Sequence, residues 1–234
     1  MNIALFGGTF DPIHRGHLNV ARAAAARFRL KEVWFVPADI PPHKQTAPVT
    51  SYFHRYSMVA LALAGEADFL PSLLEAPDPE AHLERRPSYS IDTVRRVKVG
   101  LRKRDRLYFL IGIDAFRDIA KWHEAEALLR ECEFIVAARP GYSLDDVASS
   151  LPRTLRPSAA EMRKHKQKAP GLLERPGVRL HLLPETHEDV SATQIRAVMR
   201  SRKSLTKLVP SAVAEYIRKE GLYRRPRPTA KRGR

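Results

Sequence analysis

The sequence contains very little cysteine and no long apolar run. Cys132 is the only cysteine among 234 residues, so neither an intramolecular disulfide nor a four-thiolate zinc site can form. No apolar stretch approaches the roughly 18 residues that a membrane-spanning helix needs, and no basic and apolar leader opens the chain. We therefore expect a cytoplasmic protein with no membrane partner, long enough for one globular domain.

Acidic residues are also scarce relative to basic ones. The chain has 41 Lys and Arg against 26 Asp and Glu, a net charge of +15, which raises the alternative of a nucleic-acid-binding protein. Much of the excess lies in residues 153–168, at +5, and in residues 224–234, at +6. Neither segment contains an aromatic residue that could stack on bases. We therefore expect no specific nucleic-acid partner. We interpret 224–234 as a disordered tail and about 151–176 as a basic surface insertion.

The most informative stretch is residues 7–17, which read Gly-Gly-Thr-Phe-Asp-Pro-Ile-His-Arg-Gly-His directly after the apolar run Ile3–Phe6. Such a run predicts a buried parallel strand, and glycines at its end let the backbone approach a ligand. The Ala-rich segment Leu18–Phe28 predicts the following helix. His14 and His17 would then lie at the start of a helix, where N–H groups and the helix dipole attract phosphate. A Walker loop is excluded because no Gly-Lys-Ser/Thr follows.

Strand-like and helix-like segments alternate along the rest of the chain. This alternation predicts βαβ units and a Rossmann-like, doubly wound parallel sheet, in one α/β domain that ends in a small helical part. Ligands of such sheets bind outside the carboxyl ends of the strands at the topological switch point, where residues 7–17 would lie. The predicted strands are Ile3–Phe6, Glu32–Val36, Phe69–Leu74, Leu107–Ile111, Phe134–Ala138 and Val178–Leu183. The predicted helices are Leu18–Phe28, Tyr52–Ala64, Ile91–Arg102 with Ser88 or Ser90 as its cap, Trp122–Leu129, Ala192–Arg200 and Val213–Lys219.

Polar side chains follow several of these predicted strands. Lys44 lies in the Pro-rich loop after the second strand and offers a point charge suited to phosphate. Ser88 and Ser90 open a helix, where hydroxyl and N–H groups suit a carboxylate or phosphate. Asp114 comes just after Gly112 at the end of the fourth strand, and an acid there can accept hydrogen bonds from a ribose diol. Each of these features can also be explained without a ligand, as an ordinary surface loop or a helix cap.

Three more candidates lie further along the chain. Trp122 is flanked by Lys and His, so we interpret it as the wall of a cleft, where its face could stack on a heteroaromatic ring, rather than as a core residue. Arg139 closes the fifth strand on the ligand side. Ser191 and Thr193 open a helix, and Arg196 lies about one turn inside it, where its donors can reach phosphate oxygens.

The stretch Gly-x-Phe-Asp-Pro-x-His-x-Gly-His resembles the first signature of the nucleotidyltransferase superfamily. Together with Ser-Tyr-Ser-Ile-Asp-Thr at 88–93, Lys-Trp-His at 121–123 and Ser-x-Thr-x-x-Arg at 191–196, it makes the chain similar to the bacterial nicotinate-mononucleotide adenylyltransferases, from Met1 to about Tyr223. The chain departs mildly from that pattern: it has Ala192 where many superfamily members have a second Ser, and Ser90 where Thr is usual. The resemblance places the nucleotidyltransferase domain at residues 1–223.

The resemblance implies adenylyl transfer from ATP to nicotinate mononucleotide in NAD biosynthesis, with release of pyrophosphate. It implies that Mg²⁺ is carried with ATP and that the protein supplies no metal ligands of its own. The implied catalytic residues are His14, His17, Lys44 and Arg196. The implied ATP-binding residues are Gly7, Gly8, Thr9, Phe10, His14, His17, Gly112, Asp114, Arg139, Ser191, Thr193 and Arg196. The implied mononucleotide-binding residues are Lys44, Ser88, Tyr89, Ser90 and Trp122.

Two classes of alternative are weighed against this interpretation. The first is another enzyme of the superfamily, such as a nicotinamide-mononucleotide or pantetheine-phosphate adenylyltransferase, or a glycerol-phosphate cytidylyltransferase. The second is the nucleic-acid-binding protein considered above. The sequence leaves a homo-oligomer open, together with the roles of the two basic segments and the strictness of the preference for nicotinate over nicotinamide.

Overall fold

The computed structural model describes residues 1–41, 49–78, 87–169, 171–184, 190–201 and 204–224, apart from the side chains of Lys168 and Arg200. Lys44 and residues 225–234 of the predicted tail lie outside these ranges. No helix in the described part of the chain is long and apolar enough to cross a membrane.

Seven strands of the described chain form one sheet: β1 (Asn2–Gly8), β2 (Glu32–Pro37), β3 (Phe69–Pro71), β4 (Arg106–Gly112), β5 (Glu133–Ala137), β6 (Leu172–Arg175) and β7 (Val178–Leu183). Their spatial order is β3-β2-β1-β4-β5-β7-β6. All neighbouring pairs are parallel except the pair of β6 and β7, which is antiparallel. The predicted α/β class and doubly wound sheet are therefore confirmed, with one antiparallel edge strand that the alternation of elements did not predict.

The order in which successive strands are added to the sheet reverses at β1 and β4. These two strands are neighbours in the sheet although β2 and β3 lie between them in the sequence. In the parallel register Phe6 lies opposite Leu110, and two residues further on β1 ends in Gly8 and β4 in Gly112. Loops diverge to opposite faces at such a switch point and leave a crevice at the carboxyl ends of the strands. The two glycine-ended strands therefore meet at this crevice.

Helices cover both faces of the sheet, and each face has its own buried core. The helices are α1 (Arg15–Phe28), α2 (Tyr52–Leu63), α3 (Ser90–Val99), α4 (Ile113–Phe116), α5 (Ala125–Glu131), α6 (Leu144–Ser150), α7 (Ala159–Lys168), α8 (Ala192–Arg200) and α9 (Ser211–Lys219). The helices α1, α2, α8 and α9 contribute to one core, with residues such as Leu18, Met58 and Ile195, whereas α3, α5, α6 and α7 contribute to the other. This double covering explains why the central strands are apolar along their whole length.

Several helix boundaries differ from the prediction, and two of the differences lie at predicted site residues. Neither Ser88 nor Ser90 caps α3: Tyr89 occupies the cap position and accepts no side-chain cap bond, so both serine hydroxyls are spared that role. The segment Trp122–Leu129 is not one helix, because a short 3₁₀ turn at Ile119–Lys121 precedes Trp122 and α5 begins only at Ala125. Trp122 is extended and separates the two turns of helix.

The described residues of the segment 151–176 include a 3₁₀ turn, the helix α7 and the strand β6. Ser158 caps α7 by accepting a hydrogen bond from the N–H of Glu161, at 3.3 Å. The chain then enters β6, and Gly177, with φ of 73°, reverses it into β7. A Pro-Gly pair is typical of a tight turn, because Pro presets its own φ and Gly accepts a positive one. The basic residues therefore decorate a helix and an edge strand that extend the sheet.

Candidate active site

The turn after β1 is shaped by aromatic packing. A Cβ atom added to Gly8 would lie 2.9 Å from the ring of Phe10, and one added to Gly7 would lie 3.3 Å from the ring of Phe109. Phe10 is buried and has a φ of 48°, which bends the chain sharply after Thr9. The glycines at this position are thus required by the two neighbouring rings, in addition to the ligand approach that the sequence suggested.

His14 and His17 lie at the amino end of α1, as predicted. His14 is the N-cap residue, and its backbone N–H donates to Nδ1 of His17 at 3.2 Å. The two imidazole rings are stacked, with centroids 3.7 Å apart. A Cβ atom at Gly16 would come within 3.1 Å of Nδ1 of His14, so this glycine leaves room for the ring. The two histidines therefore form one unit at the amino end of α1, where the helix dipole favours an anion.

His14 is almost fully buried, at 8% exposure, and its Nδ1 atom has no hydrogen-bond partner among the described residues. Burial, and secondarily the positive charge of Arg139, lower the pKa of His14 to about 4. The neutral imidazole is therefore the favoured form of His14 at pH 7. An anionic ligand beside it would raise this pKa, because opposite charges stabilise the protonated form.

Arg196 is brought to the same turn by α8. Its Nη1 donates to the backbone carbonyl of Asp11 at 2.7 Å, and its Nη2 donates to Oγ1 of Thr193 at 3.1 Å. Ser191 caps α8, accepting from the N–H of Gln194 at 3.2 Å. A hydroxyl that accepts in this way keeps its own proton to donate to a ligand. Arg196 is thus fixed against the turn through Asp11, and Thr193 orients its guanidinium.

Asp114 and Arg139 meet above the end of β4. A carboxylate oxygen of Asp114 lies 2.6 Å from Nη2 of Arg139, and both side chains are about half exposed. Gly112 caps the four-residue helix α4 that carries Asp114. Because Arg139 also acts on the pKa of His14, this ion pair belongs to the same edge of the sheet as the histidines.

The remaining predicted residues lie over the other face of the sheet, where Tyr89 and Trp122 pack against the core to which α3 and α5 contribute. Ser88 donates its backbone N–H to the carbonyl of Ile40 at 3.1 Å, which holds the start of α3 against the loop after β2. The ring of Tyr89 stacks on that of His123, with centroids 4.2 Å apart. Trp122 is partly buried and its ring meets that of Phe109 edge-on, at 6.2 Å, so its place in the wall of a cleft stays a prediction.

A carboxyl group that the sequence interpretation missed lies beside the start of α3. Glu75 accepts a hydrogen bond from the hydroxyl of Thr93 at 2.6 Å. Burial raises the pKa of Glu75 to about 7, although hydrogen bonds from Thr93 and Ser88 oppose this shift. Glu75 therefore changes its charge near neutral pH, directly beneath a predicted binding segment.

Arg55 is the second residue that the sequence interpretation missed. Its side chain is 1% exposed and donates to three backbone carbonyls: to Thr50 at 2.8 Å, to Thr9 at 2.8 Å and to Asp39 at 3.2 Å. It therefore joins the loops that follow β1 and β2. The signal was present in the sequence, because Arg55 lies three residues from Tyr52 and from Met58 on the buried face of α2.

The geometry therefore supports part of the predicted site directly. It brings Arg196 of α8 to the turn that carries His14 and His17, with the Asp114–Arg139 pair at the same edge of the sheet, whereas the residues around Ser88 and Trp122 lie over the other face. A glycine-containing turn that leads into a helix at the switch point of a parallel sheet defines an α/β protein of the nucleotide-binding type.

The comparisons with known proteins agree with this class. The family model described as cytidylyltransferase-like matches residues 5–198, and the chain belongs to that family. A protein of Moorella thermoacetica described as "Probable nicotinate-nucleotide adenylyltransferase" is 39% identical over 222 residues, which cover 95% of this chain and 91% of the relative. A protein of Pseudomonas aeruginosa with the same description is 40% identical over 224 residues, covering 96% and 98%.

Solved structures share the fold at lower identity. The Plasmodium falciparum nicotinic acid mononucleotide adenylyltransferase complexed with NaAD superimposes with a TM-score of 0.67 at 21% identity, covering 95% of this chain and 97% of that one. The same enzyme complexed with APC gives a TM-score of 0.65 at 20% identity, covering 95% and 96%. These likenesses establish the Rossmann-like architecture over nearly the whole chain.

Proposed function

We propose that the protein transfers the adenylyl group of ATP to nicotinate mononucleotide, giving nicotinate adenine dinucleotide and pyrophosphate for NAD biosynthesis. The observation that carries this proposal is the paired histidines at the start of α1, with Arg196 held against the same turn. The relatives of the chain carry the name of this activity over nearly their full length. ATP and the mononucleotide are accordingly its proposed partners.

The chemistry requires positioning rather than a general base. The 5′-phosphate that attacks the α-phosphorus is already an anion at neutral pH, so the site must align two polyanions and stabilise the charge that develops between them. In this proposal the α1 N–H groups and His17 hold the triphosphate, and Arg196 supplies a fixed positive charge. The neutral ring of His14 contributes a donor that is withheld from water by burial. Asp114, which pairs with Arg139, would accept hydrogen bonds from the ribose in this proposal.

The metal required by a triphosphate would arrive with it. Within the described ranges no three His, Cys, Asp or Glu side chains come together as a metal site. Mg²⁺ is commonly held by phosphate oxygens, waters and one or two protein groups, and such residues as His17 and Arg196 fit the phosphates that carry it. When bound, Mg²⁺ would neutralise charge on the leaving pyrophosphate.

The acceptor subsite is proposed to lie between α3 and Trp122. The first N–H groups of α3 and the hydroxyl of Ser90 favour a carboxylate, because Ser90 does not serve as the cap, whereas Ser88 bonds to Glu75 and holds that side chain beside the subsite. Trp122 would stack on the pyridine ring of either mononucleotide and so add affinity without discrimination. We therefore expect the carboxylate to decide the choice in favour of nicotinate.

Pyrophosphate release tests this proposal. The purified protein is incubated with ATP, Mg²⁺ and either nicotinate or nicotinamide mononucleotide, with pantetheine phosphate as a third acceptor. We expect kcat/KM for nicotinate mononucleotide to exceed that for nicotinamide mononucleotide by at least about 100-fold, which equals roughly 2.7 kcal/mol and is within reach of two charge-assisted hydrogen bonds. Equal efficiency with the two mononucleotides would indicate a dual-specificity enzyme, and activity with pantetheine phosphate alone would exclude the proposal.

A further inference from the structure

The chain makes an unusual turn after its last helix. α9 ends at Lys219. In the segment that follows, Gly221 and Tyr223 have positive φ values of 65° and 61°. Glycine adopts this conformation at little cost, whereas an aromatic residue does so rarely and under strain. A conformation of this kind persists only where surrounding contacts enforce it. The contacts of the Tyr223 side chain therefore indicate what the turn achieves.

The Tyr223 hydroxyl is directed at the first sequence motif, 212 residues away. It donates to Oδ1 of Asp11 at 2.6 Å and lies 4.0 Å from the sulfur of Met58. Burial, followed by the charge of Asp11 and the hydrogen bond to it, raises the pKa of Tyr223 far above its ordinary value. The hydroxyl is thus held in its protonated, donating form.

Asp11 connects this hydroxyl to the predicted phosphate site. It is 6% exposed, and its Oδ2 accepts the N–H of Thr50 at 3.3 Å. Its backbone carbonyl accepts Nη1 of Arg196, and it lies three residues before His14 in the same turn. A displacement of Asp11 would consequently move both the carbonyl that orients Arg196 and the segment that carries His14.

We propose that Tyr223 is a positioning residue for adenylyl transfer. Its hydroxyl acts through Asp11 to hold the turn of residues 9–14 and the guanidinium of Arg196 in their working geometry. This inference rests on the proposed function, since the reaction is what the geometry serves. Positioning errors of about 1 Å cost large factors in rate even where substrate binding is kept.

The chain supplies a matched control for this proposal. Tyr216, on α9, also uses its hydroxyl in a buried contact, with Nδ1 of His54 at 2.8 Å, and this contact ties α9 to α2. Tyr216→Phe and Tyr223→Phe each remove one hydroxyl that attaches the carboxyl-terminal segment to the body. Of the two substitutions, only Tyr223→Phe removes a hydrogen bond to the turn of residues 9–14.

The experiment measures kcat and KM for both substrates in full-length parent, Tyr223→Phe and Tyr216→Phe, each well below its melting temperature. We expect Tyr223→Phe to lose at least about tenfold in kcat with both KM values within about threefold of the parent. We expect Tyr216→Phe to keep the parental kcat. Equal kcat in Tyr223→Phe and parent, or equal losses in both variants, would overturn the positioning role while leaving the proposed function intact. A parent without pyrophosphate release would overturn both.

A second variant keeps the inference testable if Tyr223→Phe is unstable. Full-length Asp11→Asn keeps the shape of the side chain and leaves Tyr223 in place, and it is expected to lose kcat with both KM values within about threefold of the parent; a parental kcat would overturn the proposal. Where both single variants fold, the double variant is expected to lose no more kcat than the larger single loss, because both act through one contact, and additive losses would contradict transmission through Asp11.

Discussion

Replacement of Arg55 by Met is expected to destabilise the protein severely. The guanidinium makes three charge-assisted hydrogen bonds, to the carbonyls of Thr9, Asp39 and Thr50, and its side chain is 1% exposed. Met fills a similar volume but donates no hydrogen bond, so it leaves three buried acceptors without this donor. It also removes the positive charge that faces Asp11.

The magnitude follows from the number of bonds lost. A hydrogen bond to a charged group contributes about 1.5–3 kcal/mol, and three bonds that share one side chain overlap in part, so we expect a loss of about 3–6 kcal/mol. A loss of this size lowers the melting temperature of a domain of this length by roughly 10–20 °C. Arg55→Lys keeps the charge but presents fewer donors in a less suitable geometry, so it is expected to fall between Met and the parent.

Urea and thermal denaturation of the parent, Arg55→Met and Arg55→Lys provide the test. Arg22→Met is the matched control, because Arg22 pairs with Glu66 on the surface and about half of its side chain is exposed. Exposed pairs contribute about 1 kcal/mol or less, so the control should change little. A loss below about 1 kcal/mol in Arg55→Met would show that water or other donors satisfy the three carbonyls, and the reasoning would be wrong.

Two further outcomes are expected. His17→Ala should lower kcat by roughly 100-fold, the scale of losing one donor to the transition state; near-normal turnover in the folded variant would remove His17 from the chemistry. Glu75→Gln should change the pH dependence of stability. Because the pKa of Glu75 rises from 4.5 to about 7 on folding, the stability it contributes is fully present below pH 4.5 and is lost as the pH rises through about 7. Between about pH 5 and pH 8 the melting temperature should therefore fall less in the variant than in the parent. Parallel plots of melting temperature against pH for the two proteins would show that Glu75 is not the source of this pH dependence.

Much of the architecture could be predicted from local sequence. The apolar runs that became β1, β2, β4, β5 and β7 are short-range patterns, and the glycines and histidines of residues 7–17 lie next to one another in the chain. Such signals depend on neighbouring residues alone, which is why the strand-turn-helix unit and the position of both histidines at its helix start were predictable. The carboxyl end of a parallel sheet then follows as the place where the polar segments gather.

The details that failed have a common cause. The edge strand β6 carries only four residues, and its pairing with β7 depends on a partner rather than on its own pattern. The N-cap of α3 is Tyr89, between the two serines that the sequence offered. Both serine hydroxyls were plausible acceptors, and only the backbone dihedrals show which residue occupies the cap position. Short elements and element ends are therefore the least determined by local sequence.

Contacts between distant residues were decided by the tertiary structure alone. Arg55 joins the carbonyls of Thr9 and Asp39, which belong to loops after different strands, and Tyr223 reaches Asp11 across nearly the whole chain. The sequence shows that an Arg lies on the buried face of α2 and that a Tyr follows α9, but their partners depend on strand order, register and the path of the chain after the last helix. Chemistry-bearing motifs are encoded locally, whereas the bonds that hold them in position arise only when the fold brings their partners together.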